Sequence, residues 1–108
     1  MYTQKLNHGY DTLLDAINAS RKKGYTEEFI VNDRGFESSQ GRTYLPEGVK
    51  HLTVYRIEGS SADPDNESIL YLLEMVDGVK GWISDAYGVY ADENLAEKIN
   101  RVKGNLQS

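Results

Sequence analysis

The stretch "ESILYLLEMVDGVKGWIS", Glu67 to Ser84, decides how this chain is read. Two apolar runs meet at Asp77–Gly78. Asp-Gly between apolar runs is the strongest short-range signal for a β-hairpin, because Gly accepts the positive φ that the turn demands. The run 67–76 is also long enough for a turn or two of helix, and the Asp-Gly pair decides for strand. Residues 67–76 and 79–84 are therefore expected to pair antiparallel. Val79, Gly81 and Ile83 then share one face, and Trp82 points to the other.

The flanking sequence extends the pattern in both directions. "HLTVYRIEG" (51–59) is β-branched and aromatic and reads as a strand, and "SSADPDN" (60–66) as a turn. "EEFIVN" (27–32) is a short strand, and a second is expected around Arg42 to Leu45, ended by Pro46. "YDTLLDAINASRKKGY" (10–25) reads as a helix. Asp11 or Thr12 can cap its start, Thr12 and Asp15 have the spacing of a capping box, and Leu13, Leu14, Ala16 and Ile17 supply an apolar face. Arg21, Lys22 and Lys23 suit its C-terminal dipole, and Gly24 follows as the C′ residue. "ADENLAEKINRVKG" (91–104) is a second helix, capped by Asp92, striped by Leu95, Ile99 and Val102, and ended by Gly104.

Residues 1–8 read as a loose lead-in, 9–104 as one domain and 105–108 as a tail. Strands joined by short turns pair antiparallel, since parallel pairing needs long crossovers. The expected fold is α+β: a two-layer sandwich with a mainly antiparallel sheet of about four to five strands. The N-terminal and C-terminal helices are expected to cover one face of it.

Composition narrows the function classes. A chain of 108 residues is one domain, and 39% hydrophobic residues are enough to form a core. Without cysteine there is no disulfide, thiolate nucleophile or thiolate metal ligand. The net charge is −5, and residues 58–93 alone carry nine acids and one base. Such a surface repels a phosphate backbone, so no nucleic-acid partner is expected. No stretch approaches the ~18 apolar residues of a membrane span, and the first residues lack a secretory pattern. The expectation is a cytoplasmic protein that does not enter a membrane.

Several constellations resemble sites. "DPDNESILYLLE" (63–74) places acids at positions 1, 3, 5 and 12 of a calcium loop, but Ser68 stands where Gly is needed. If the segment is extended, Glu74 lies about 23 Å beyond Glu67 and cannot close a cage. His8 and His51 lack zinc or nucleophile spacing, and no phosphate-binding glycine motif occurs. No cofactor or metal is expected. Asp85 and Asp92 could pair as acid and base across "AYGVYA". The simpler reading makes Asp85 a turn residue and Asp92 a cap. Trp82, Tyr87 and Tyr90 form either an exposed aromatic patch or the edge of a core.

"YDTLLDAINASRKKGYTEEF" (10–29), "VYRIEG" (54–59) and "DGVKGWISDAYGVYADE" (77–93) together resemble a family of small uncharacterised bacterial proteins of about this length. Some of its members are labelled phosphoribosylpyrophosphate synthetase. A phosphoribosyl-binding loop follows a parallel strand as an apolar run, two acids and Thr-Gly. "WISDAYG" (82–88) has one acid and no Thr-Gly, so the resemblance supplies no catalytic residues. The preferred expectation is a non-catalytic domain that binds a protein partner or forms a homodimer through Trp82, Tyr87 and Tyr90. The alternative is a small-molecule binder or enzyme, phosphoribosyl-related by the family label, with a pocket near Asp85, Tyr87 and Asp92.

Overall fold

A computed structural model describes residues 2–6, 12–57, 68–86 and 92–107. Asp77–Gly78 turns the chain as expected. Strands β7 (Ser68–Met75) and β8 (Lys80–Ala86) pair antiparallel from Ser68↔Ala86 to Glu74↔Lys80. Gly78 sits at φ +92°, the left-handed conformation that makes glycine the low-cost choice at this turn. Gly78 N–H donates to Met75 O, and Met75 N–H to Val79 O.

The remaining elements are β1 (Tyr2–Leu6), α1 (Leu13–Lys22), β2 (Glu27–Glu28), β3 (Ile30–Val31), β4 (Phe36–Glu37), β5 (Thr43–Tyr44), β6 (Val49–Ile57) and α2 (Glu93–Gln107). The main sheet runs β1-β6-β7-β8-β2, and a small second sheet runs β3-β4-β5. The centre of the main sheet is antiparallel, while β1 joins β6 and β2 joins β8 in parallel. The class is α+β, as the sequence predicts. Among the described residues no helix is long and apolar enough to cross a membrane.

The helices do not share a face of the sheet. Ala16 of α1 packs with Tyr55, Ile57, Leu70, Leu72 and Trp82. Leu95, Ile99 and Val102 of α2 pack with Leu52, Val54, Tyr71, Leu73 and Ile83 on the other side. The expected two-layer arrangement, with both helices on one face, is therefore corrected to a sheet between two helices. The physical reason lies in β7. Leu70 and Leu72 point one way, Tyr71 and Leu73 the other, and all four are buried. An apolar run that buries both faces needs cover on both.

Two boundaries also move. Part of the expected lead-in, Tyr2–Leu6, is a strand in register with Leu52–Arg56. Part of the expected tail, Asn105–Gln107, continues α2, with Gly104 inside the helix instead of ending it. Half-buried Leu106 packs against the core, and that contact offsets the ~1 kcal/mol a helical glycine costs. Both helix starts are capped, the first by Thr12, one of its two candidates, and the second by Asp92 as predicted. Thr12 Oγ1 accepts from Asp15 N–H at 3.1 Å, and Asp92 Oδ1 accepts from Leu95 N–H at 3.2 Å.

Asp77 also ties the hairpin to the second sheet. Its Oδ2 accepts from Tyr44 Oη at 2.8 Å and lies 3.1 Å from Arg42 Nη1. The Val79 backbone N–H, then the Tyr44 hydroxyl and the Arg42 charge, hold the Asp77 carboxyl below its usual value. A carboxyl depressed in the folded state adds stability above its unfolded pKa, and that contribution disappears as pH falls through the folded pKa. Wild type should therefore melt above Asp77→Asn near neutrality, with the gap closing as pH falls past about 4. Thermal melts across pH check this, and a gap independent of pH contradicts it.

Candidate functional site

The feature that organises the site is a change of strand partner at Phe29. β2 meets β8 at Glu27↔Gly81 and Glu28↔Trp82, and the Phe29 N–H then donates to Trp82 O at 2.9 Å. From Ile30 the chain pairs with β4 instead, at Ile30↔Glu37 and Val31↔Phe36. Past Trp82, β2 and β8 no longer pair. Gly81 permits the close approach just before the split. A Cβ there would stand 2.3 Å from Glu27 O and 2.4 Å from Phe29 Cε2.

The divergence opens a depression of about 350 Å³ between Glu28–Val31, Trp82–Asp85, Asp92 and Leu95. The structure brings Asp85 and Asp92 together here. The Asp92 N–H donates to Asp85 Oδ2 at 2.9 Å, and Asp92 Oδ1 accepts from the N–H groups of Asn94 and Leu95 at the start of α2. Asp92 thus has the capping role that the simpler reading gives it, whereas Asp85 lies in strand β8 opposite Ile69 and not in a turn; both also line the depression. Asn94 Nδ2 donates to Asn32 O at 3.3 Å, which fixes the α2 start beside the end of β3.

Trp82 is placed differently from the exposed-patch expectation. It lies on the α1 face as alternation predicts, but α1 covers that face and the residue is only 9% exposed. Its indole Nε1 has no hydrogen-bond partner among the described residues. Tyr87 and Tyr90 lie outside the described residues. Of the calcium-like segment, Ser68 to Glu74 are extended in β7, as the argument against that site requires, and Asp63, Asp65 and Glu67 lie outside the described residues.

Sequence reasoning missed Glu28 and Ile30. They come from a segment far along the chain, and only the pairing of β2 with β8 brings them to Asp85. Glu28, Asp85 and Asp92 line the depression, with no Lys, Arg or His among the described lining residues. The N-terminus of α2 contributes only about half a positive charge against Asp92. Asp85 and Asp92 make the α2 side of the site acidic, while Glu28, in register with Trp82, belongs to the α1 side. Among the described residues, no group of three or more acids and histidines could hold a metal ion.

Comparison of the chain with protein-family models, with curated proteins and with solved structures finds no match. The resemblance to small bacterial proteins rests on the residues quoted for it.

Proposed function

We propose that the chain is a non-catalytic binding domain whose ligand seats in the depression between β3, β8 and the start of α2. The observation that carries this reading is the carboxylate-lined opening where β2 and β8 stop pairing. The lining works against catalysis. Asp85 and Asp92 each accept backbone N–H groups, and the described lining offers no histidine, lysine or cysteine to act as base or nucleophile. It also works against a sugar phosphate, which would bring its negative charge to the carboxylates of Asp85 and Asp92. The version of the reading based on an exposed Trp82 loses that residue to the α1 face.

Thermal-shift measurements against two panels test the proposal. Spermidine and arginine amide are expected to raise the midpoint of wild type, and to do so less for Asp85→Asn. Ribose 5-phosphate and nucleotides are expected to leave it unmoved. Stabilisation by the phosphates alone would overturn this reading in favour of the phosphoribosyl-related alternative. Silence with both panels would count against small-ligand binding at this depression.

A further inference from the structure

We infer that Asp77–Gly78 is a latent modification site, at which the hairpin turn converts to an isoaspartyl linkage whenever its clamp of Arg42 and Tyr44 opens. Neither residue lines the depression, so the binding reading above is not involved.

The pair is reactive by its chemistry. Glycine has no Cβ to shield its nitrogen or to restrict its backbone. The Gly78 amide nitrogen attacks the Asp77 side-chain Cγ. A new N–Cγ bond forms, the amide proton leaves and the carboxyl hydroxyl departs with it as water, which closes a succinimide ring. Water then adds to the former main-chain carbonyl carbon, and the bond from that carbon to Gly78 N breaks. The product runs its main chain through Cβ and Cγ and carries a free α-carboxylate. One water is released and one is taken up, so no other reactant is needed.

The fold holds both partners of that attack. Asp77 Oδ1 accepts from the Val79 N–H at 3.1 Å, while Oδ2 accepts from Tyr44 Oη at 2.8 Å and lies 3.1 Å from Arg42 Nη1. With both oxygens engaged the carboxyl is not free to rotate, and it is held in its ionised, weakly electrophilic form. The Gly78 N–H donates to Met75 O at 2.9 Å, which fixes the attacking nitrogen in the turn. The clamp is itself braced. The Arg42 guanidinium sits 4.9 Å from the centre of the Tyr44 ring, and that ring meets buried Phe29 edge-on at 6.0 Å. The rearrangement therefore waits for local opening of the hairpin tip.

Once formed, the linkage keeps the clamp from closing again. The turn gains one main-chain carbon, and the new carboxylate sits directly on Cα, one carbon short of the reach that meets Tyr44 and Arg42. The hairpin tip is then untied from the β3-β4-β5 sheet, which Tyr44 of β5 otherwise anchors to it. Mostly buried Tyr44 loses the acceptor of its hydroxyl, so the modified chain should melt below the unmodified one.

The test is peptide mapping with electron-transfer fragmentation, which separates aspartyl from isoaspartyl residues, during incubation at physiological temperature and pH. Wild type is compared with a free peptide of residues 74–81, with Tyr44→Phe and Arg42→Gln, and with Ile99→Val, which thins the α2 core and leaves the clamp intact. Tyr44→Phe should accumulate isoaspartate about tenfold faster than wild type, the effect of losing one hydrogen bond to a charged group. Arg42→Gln should accelerate it less, because that guanidinium is 66% exposed and its ion pair is weak. The free peptide should be fastest, and Ile99→Val should match wild type. A wild-type rate equal to the peptide's would overturn the clamp, and so would Tyr44→Phe reacting no faster than wild type. A peptide that stays aspartyl would overturn the site itself. Ile99→Val reacting as fast as Tyr44→Phe would assign the reaction to global unfolding and overturn local opening. Equal melting of the purified isoaspartyl and aspartyl chains would overturn the untying of the two sheets.

Discussion

Trp82→Ala is expected to lower folding stability by about 3–5 kcal/mol, measured by denaturant unfolding. The indole fills the α1 face together with Ala16, Tyr55, Leu70 and Leu72, with Leu13, Ile17 and Tyr25 packed around them. Removing it leaves a cavity in the smaller of the two cores. On a total of about 5–15 kcal/mol for a domain, that is a large fraction. An exposed tryptophan would cost no more than about 0.5 kcal/mol, so the size of the loss separates the two placements. Trp82→Phe adds a finer test. It gives up some buried area, but it also removes an N–H that has no partner among the described residues. An unpaired buried donor costs about 1–3 kcal/mol, so the two changes should nearly cancel and leave Trp82→Phe within about 1 kcal/mol of wild type. A loss equal to that of Trp82→Ala would contradict this account of the indole.

Gly81→Ala is expected to cost about 3 kcal/mol, the upper end for an inserted methyl group. The new Cβ would sit within 2.4 Å of both Glu27 O and the Phe29 ring. One is backbone and the other is a fully buried ring, so neither can move away without lifting β2 off β8. The same displacement removes the wall of the depression, so loss of stability and loss of ligand binding should arrive together. Gly104→Ala is the control. Nothing stands within 4 Å of a Cβ at that position in α2, and the change should stabilise by up to about 1 kcal/mol. Equal behaviour of the two variants would mean that β2 and β8 do not approach as described.

Local signals carried much of the fold. Asp77–Gly78 marks the hairpin, Thr12 and Asp92 mark the helix starts, and the order of elements marks the α+β class. These are readable because each depends on residues a few positions apart. The β1 strand was not readable, because its partner β6 lies far along the chain and a parallel edge strand leaves only a weak pattern. The placement of the helices on opposite faces was present in the unbroken apolar run Leu70 to Leu73, which an alternating, one-faced strand would not show. At the site, Asp85 and Asp92 were legible as a pair because a short segment joins them. Glu28 was not, since β2 reaches β8 only through tertiary pairing. The switch of partner at Phe29 leaves one trace in sequence, a glycine at position 81 inside a strand, where glycine signals close backbone approach.

The most direct measurement is an amide chemical-shift titration of the labelled protein with spermidine. If the depression is the binding surface, the largest and saturable shifts fall on Ile83 to Asp85 and on Phe29 to Val31, with the β1 amides and exposed Val76 unmoved. Shifts centred on β1 or on the hairpin tip around Val76, or no saturable shift at β8, would contradict it.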